Sequence, residues 1–212
     1  IANSAETAAL TAYTNAITGA ATNKLVASDG TWSVAATDLN AAIGAGQIRL
    51  AGDLTVINIT SGFETATLDL YNNTNTGSNT IKLSATDGNW AVTASKLTTV
   101  LGDGVRLAGD LTVTNITNEA TALTDFTSVT TAANSVTLTG DGAWTVAANQ
   151  LTTALDTTAG TGAKIKFAAT DTLTVTGIAA GAAETAALTA FTVPLTGADR
   201  VILTATDSNW SV

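Results

Sequence analysis

The chain repeats itself, and the repeats restrict how it can fold. A tryptophan-bearing stretch occurs four times, as Ser-Asp-Gly-Thr-Trp ending at Trp32, Thr-Asp-Gly-Asn-Trp at Trp90, Gly-Asp-Gly-Ala-Trp at Trp144 and Thr-Asp-Ser-Asn-Trp at Trp210. Residues 49–60 return almost unchanged as 106–117, with a looser copy at 166–178, and residues 4–10 are matched by 182–188. The large unit is therefore about 54–66 residues long, with boundaries near 1–57, 58–114, 115–177 and a partial 178–212. A period of this size marks a repeat architecture, in which each unit buries its apolar face only against its neighbours. The expected organisation is one continuous segment over 1–212.

Each large unit divides again. Residues 82–92 align with 166–175 although they come from different half-repeats, which implies a basic module of about 23–36 residues. Asp29, Asp53, Asp87, Asp110, Asp141, Asp171 and Asp207 mark seven such modules. Each module reads as a short strand with period-two alternation (81–85), a tight Asp-Gly or Gly-Asp turn, a second β-branched strand (111–114) and a short helix (93–101). Thr93 fits an N-cap, and Gly102 stands where a helix would stop. Leu97, Val100 and Leu101 give that helix one apolar face at i, i+3, i+4 spacing.

The expected fold class is α/β: a right-handed repeat solenoid of about seven stacked strand–turn–strand–helix coils with parallel sheets. At the spacing of paired strands, seven coils would extend roughly 30–35 Å. The alternative is a string of tandem small β-sandwich domains. A sandwich needs around seven strands and no helices, whereas Ala-Glu-Thr-Ala-Ala-Leu-Thr-Ala and Ala-Asn-Gln-Leu-Thr-Thr-Ala-Leu read as helical.

Composition narrows function by exclusion. The 212 residues include no His, Cys or Met, which removes the common general base, the thiol nucleophile and the soft metal ligands. Zero cysteine leaves the redox compartment open. A net charge of -9 repels nucleic acid and anionic lipid, so neither is an expected partner. No apolar run approaches the ~18 residues needed to cross a bilayer, so no membrane insertion is expected. Residue 1 is not Met and no secretion signal is visible, so a processed piece or a segment of something longer is expected. Ser and Thr are abundant without a partner base, and the recurring acids belong to the repeat, so no catalytic residue is assigned and the expectation is not an enzyme.

Four sets of residues merit a functional reading. Trp32, Trp90, Trp144 and Trp210 share strand parity with Val34, Val92, Val146 and Val212, which argues for inward packing over a sugar-stacking row. The turn aspartates Asp29, Asp87, Asp141 and Asp207 are the calcium candidates, because stacked carboxylates would repel and a hard cation takes oxygen ligands. Each turn offers one carboxylate and no calcium-loop motif, so a solvent-facing Asx turn is preferred and no cofactor is assigned. Lys24, Lys82, Arg49, Arg106 and Lys166 recur near the start of first strands, pointing outward to pair with nearby acids or a helix end. Asn58 and Asn115, aligned with Gly177, read as an inward ladder at the coil corner; with Asn72 they also fit the N-x-Thr sequon.

The phrases Leu-Thr-Val-Thr-Gly-Ile-Ala-Ala-Gly-Ala-Ala-Glu-Thr-Ala-Ala-Leu (173–188) and Trp-Thr-Val-Ala-Ala-Asn-Gln-Leu (144–151), with Ala and Thr filling about two-fifths of the chain, resemble the Ala/Thr-rich repeats of giant bacterial secreted and cell-surface proteins. The resemblance covers essentially the whole chain and implies an adhesin, matrix or S-layer setting outside the cell. The glycine-rich calcium nonapeptides that usually accompany such proteins are missing here. The resulting expectation is a structural extracellular repeat protein, a spacer or self-assembling fibre. Its partner would be itself, head to tail or as part of a longer chain. The alternatives are an adhesin binding glycan or a partner cell, using Tyr13, Tyr71 and Phe126, and an S-layer lattice protein.

Overall fold

The computed structural model describes residues 1–44, 48–60, 62–155, 165–192 and 196–210. The chain forms two compact units, one of Ile1–Trp90 with Thr98–Gly109, the other of Ala91–Leu97 with Asp110–Val212. The first unit holds α1 (Glu6–Ala12), α2 (Asn15–Thr18), β1 (Asn23–Ala35), α3 (Ala36–Gly44), β2 (Ile48–Ile59), α4 (Glu64–Leu70), α5 (Asn73–Thr76) and most of β3 (Ile81–Thr93). Helix α6 (Ala94–Gly102) and strand β4 (Val105–Thr114) contribute residues to both units. The second continues with α7 (Glu119–Asp125), α8 (Ser128–Thr131), β5 (Ser135–Leu138), β6 (Ala143–Ala147), α9 (Ala148–Leu155), β7 (Ile165–Phe167), β8 (Thr172–Ile178), α10 (Ala182–Ala190) and β9 (Arg200–Ala205).

The fold is mixed α/β with parallel sheets, and each described pairing is parallel. None of the antiparallel pairing that a tandem sandwich requires occurs among the described residues. Period-two patterning sets the strands: Leu25, Ala27, Trp32 and Val34 of β1 are buried while Lys24, Val26 and Ser33 face solvent. Period 3.6 sets the helices, with Leu39, Ala42 and Ile43 forming the buried stripe of α3. A nine-residue helix is marginal by itself. Burying each such Leu or Ile, worth roughly 1.5–3 kcal/mol, holds it in place.

Register carries the main departure from plain stacking. Within a large repeat, equivalent strands pair: Leu25 with Leu50 and Trp32 with Leu54 in the first, Leu138 with Phe167 and Trp144 with Leu173 in the third. From one repeat to the next the partner changes. The second strand of the earlier repeat pairs with the first strand of the later one: Leu54 with Ile81 and Val56 with Leu83, Leu111 with Val136 and Val113 with Leu138, Leu173 with Val201 and Val175 with Leu203. Thr80 and Ser135 reinforce the step by donating to Asp53 and Asp110, each at 2.7 Å. At each of these junctions the later repeat is thus offset by one strand. Ile1 stands to β1 as Ile178 stands to β9, its carbonyl accepting the Ser28 N–H as Ile178 accepts that of Thr206.

The Asp-Gly and Gly-Asp turns also differ from simple strand-separating turns. β1 and β3 run through Asp29-Gly30 and Asp87-Gly88 as continuous strands, with a bulge in β1 between Val26 and Thr31. Gly52 is required there: a Cβ at its φ of +104° would lie 2.1 Å from the Gly30 carbonyl oxygen. Gly109 meets Gly88 in the same way at 2.2 Å.

Candidate functional site

Three tryptophans are core residues: Trp32, Trp90 and Trp144 are at most 2 % exposed, over Val34, Val92 and Val146 that are buried as well. Trp210 is 39 % exposed, and Val212 lies outside the described residues. The second coil of the same repeat helps to cover Trp32 and Trp90. The indole N–H of Trp32 donates to the Ala51 carbonyl at 3.1 Å and that of Trp90 to Ala108 at 3.0 Å, both on the first strand of the coil that follows. In the third repeat Trp144 donates to the Asp171 carboxylate at 2.7 Å and meets the Phe167 ring edge-on at 4.9 Å.

Asp171 therefore departs from the solvent-facing turn expected for it. It is buried, and its Oδ2 also receives the Gly140 N–H at 3.3 Å. Asp29, Asp87, Asp141 and Asp207 are exposed and close Asx turns, accepting the N–H of Thr31, Asn89, Ala143 and Asn209 at 3.0–3.2 Å. The Thr31 N–H and the Asn3 side chain hold the Asp29 carboxyl below its ordinary range. Among the described residues no three acidic side chains gather as a cation cage.

The remaining candidates separate. Arg106 donates to the Val105 carbonyl and to Leu101 near the end of α6, the helix-end contact expected of the basic set; Arg49 turns to Ile48. Asn58 and Asn115 do not form an inward ladder. Both are exposed and left-handed, at φ 60° and 56°, as Gly177 is at 72°. The position selects for backbone tolerance, which Asn and Gly share. Asn72 caps α5 by accepting the Asn75 N–H.

Tyr71 and Phe126 are buried, so with Tyr13 they make no exposed aromatic patch. With Phe191 they fill one repeated position, the end of each repeat's first helix. Around two of these rings lie matching grooves. One, of about 300 Å³, is lined by Ala36, Asn40, Asn58, Phe63, Thr67 and Tyr71; the other, of about 340 Å³, by their counterparts Ala148, Thr152, Gly177, Ala183, Ala187 and Phe191. The Tyr71 hydroxyl points at the Asn40 side-chain oxygen and the Ala36 carbonyl, and burial pushes its phenol up to about 12. Neither groove is lined by a nucleophile–base pair.

Two buried glutamates went unread in the sequence. Glu6 accepts the Ser33 N–H of β1 at 2.9 Å, satisfying a backbone donor of that strand, and Glu184 accepts the Gly181 N–H at 3.0 Å. Their shared place in Glu-Thr-Ala-Ala-Leu was the available signal. Comparison with family models, curated proteins and solved structures gave no match.

Proposed function

We propose that the chain is a structural, non-enzymatic repeat segment working outside a bacterial cell, a spacer or fibre-forming scaffold built as an α/β repeat solenoid. The observation that carries this reading is the pairing between repeats. Strand β3 completes its pairing on β2 of the preceding repeat, and β9 does so on β8, so stability comes from neighbours and can be extended by adding units. The recurrent residues serve packing and backbone satisfaction: indole to carbonyl, carboxylate to strand N–H, aspartate to turn N–H. The resemblance to Ala/Thr-rich surface repeats supports an extracellular setting.

Immunogold electron microscopy of producing cells tests the location and role together. Label on the surface or in the surrounding matrix is expected; label confined to the cytoplasm contradicts the proposal. Deleting residues 178–212 tests the repeat logic, since the other repeats should stay folded at reduced stability, whereas complete unfolding contradicts it. A second reading, an adhesin, draws on exposed Tyr13 and Phe63. A glycan array decides it: saturable binding lost on Phe63→Ala supports an adhesin, and no binding removes it.

A further inference from the structure

The two matching grooves stand on the same repeat positions but carry different chemistry. Each lies against the start of one helix (α3 or α9), the end of the strand that follows (β2 or β8) and the next helix (α4 or α10). Where the α10 groove has Ala183, Gly177, Ala179 and Thr152, the α4 groove has Phe63, Asn58, Thr60 and Asn40. Strand and helices form with either set, so the aromatic and amide side chains of the α4 groove are not needed to build it.

Phe63 departs furthest. It is 63 % exposed and stands at the N-cap of α4, where no side chain caps the helix. Ala5, Asn118 and Ala183 hold the aligned place in the other repeats, and Asn118 uses it to accept the Thr121 N–H. A large exposed ring at a position that favours small polar side chains forgoes a cap and gains little burial. The groups around it are hydrogen-bonding and neutral. The Tyr71 hydroxyl fixes the Asn40 side chain through its oxygen, so that amide presents N–H donors. Asn58 and Thr60, both exposed, add donors and acceptors. Among the described residues no charged side chain lines the groove. Its volume of about 300 Å³ is at the small end of ligand sites.

We propose that the groove between α3 and α4 binds the terminal neutral β-hexopyranose of a glycan. The C–H face of the sugar stacks on the Phe63 ring, whose π face attracts those weakly positive hydrogens. Its hydroxyls bond to Asn40, Asn58 and Thr60. A flat ring, apolar on its faces and hydroxylated around its edge, matches one aromatic surface beside two amides and a hydroxyl. An acidic sugar finds no cation in this lining and meets a chain of net charge -9. The inference rests on the adhesin reading and gives it a site and a ligand class.

Saturation-transfer NMR on the 212-residue chain tests it, with methyl β-glucopyranoside and methyl β-galactopyranoside as probes and N-acetylneuraminic acid as the charged control. Saturable transfer, strongest to the ring C–H protons, is expected from at least one neutral probe. Phe63→Ala should weaken binding roughly tenfold and Asn58→Gly roughly threefold. Both substitutions install the residue that the α10 groove already carries, so both variants should melt as the parent does. Tyr13→Ala removes an exposed aromatic outside the groove and should leave binding unchanged. Sugar binding that survives Phe63→Ala overturns this site and leaves an adhesin that binds elsewhere. Equal or tighter binding of the acid overturns the neutral class. No saturable transfer to any probe overturns the proposal, and the adhesin reading falls with it only if the glycan array is blank as well.

Discussion

In the first large repeat residues 27–30 of β1 stand opposite the single residue Gly52 of β2; in the third, residues 139–142 stand opposite residues 168–171. Four against one lets β2 run straight while β1 bulges over it, so both coils keep continuous strands. Four against four gives both coils a corner, and the strands break into β5 and β6, β7 and β8, in separate sheets. The tryptophan beneath the corner adapts. Trp32 finds a backbone carbonyl, whereas Trp144 finds the carboxylate of Asp171, which the longer corner folds inward. The repeat therefore specifies an inward apolar pattern and an indole N–H to be satisfied. The corner length decides by which group.

The largest effects should come from the tryptophans. Trp32→Ala and Trp144→Ala should each cost about 3–5 kcal/mol in denaturant unfolding, as for other large buried side chains. The Phe variants separate the two corners. Trp32→Phe leaves a peptide carbonyl without its indole, but Trp144→Phe leaves a buried carboxylate without its shortest hydrogen bond, so the second should cost about 1–2 kcal/mol more. Equal losses would break the distinction.

Next comes the close approach unique to the four-against-one corner. Gly52→Ala places a methyl group against the Gly30 carbonyl at a positive φ and should lose about 2–4 kcal/mol, combining overpacking with left-handed strain. In the four-against-four corner Ala169→Gly should change stability by about 1 kcal/mol or less.

The two grooves extend the comparison. Tyr71→Phe should cost about 1–1.5 kcal/mol through its buried hydroxyl, while Phe191 already lacks one. The phenol is held up to about 12 in the folded chain against 10.0 for the free group. The unfolded chain therefore loses this proton first, and the stability it contributes is complete below pH 10 and falls as pH rises towards 12. Unfolding measured from pH 9 to 12 should show a slope that Tyr71→Phe reduces. The smallest effect is a gain. Ala132 ends α8 at φ 62°, where Gly77 ends α5 at 74°. Ala132→Gly should raise stability by about 0.5–1 kcal/mol, the relief of left-handed strain less the added chain entropy of glycine.

Much of this was legible from the residues. The period, the helices at 6–12 and 148–155, the inward parity of Trp32, Trp90 and Trp144 and the Asx turns all follow from local patterns. The step between repeats does not. First and second strands are alike in length and both alternate with period two, so Leu83 can face Leu50 or Val56 without exposing an apolar side chain. Only three-dimensional pairing chooses between them. Asn58 and Asn115 depart from the expected ladder for a related reason, because a recurring polar residue reads as a side-chain role when the backbone angle is what selects it. Asp171 was missed because an inward carboxylate depends on corner length, which the aspartate pattern alone does not encode.

The stepped register can be tested directly because the chain has no cysteine of its own. Thr55 pairs with Lys82, and Arg49 would be the neighbour of Lys82 if equivalent strands stacked throughout. Two double variants, Thr55→Cys with Lys82→Cys and Arg49→Cys with Lys82→Cys, are compared for disulfide formation under mild oxidation, which requires Cα atoms within about 4.4–6.8 Å. Rapid closure is expected in the first and none in the second; closure in the second alone would contradict the offset pairing.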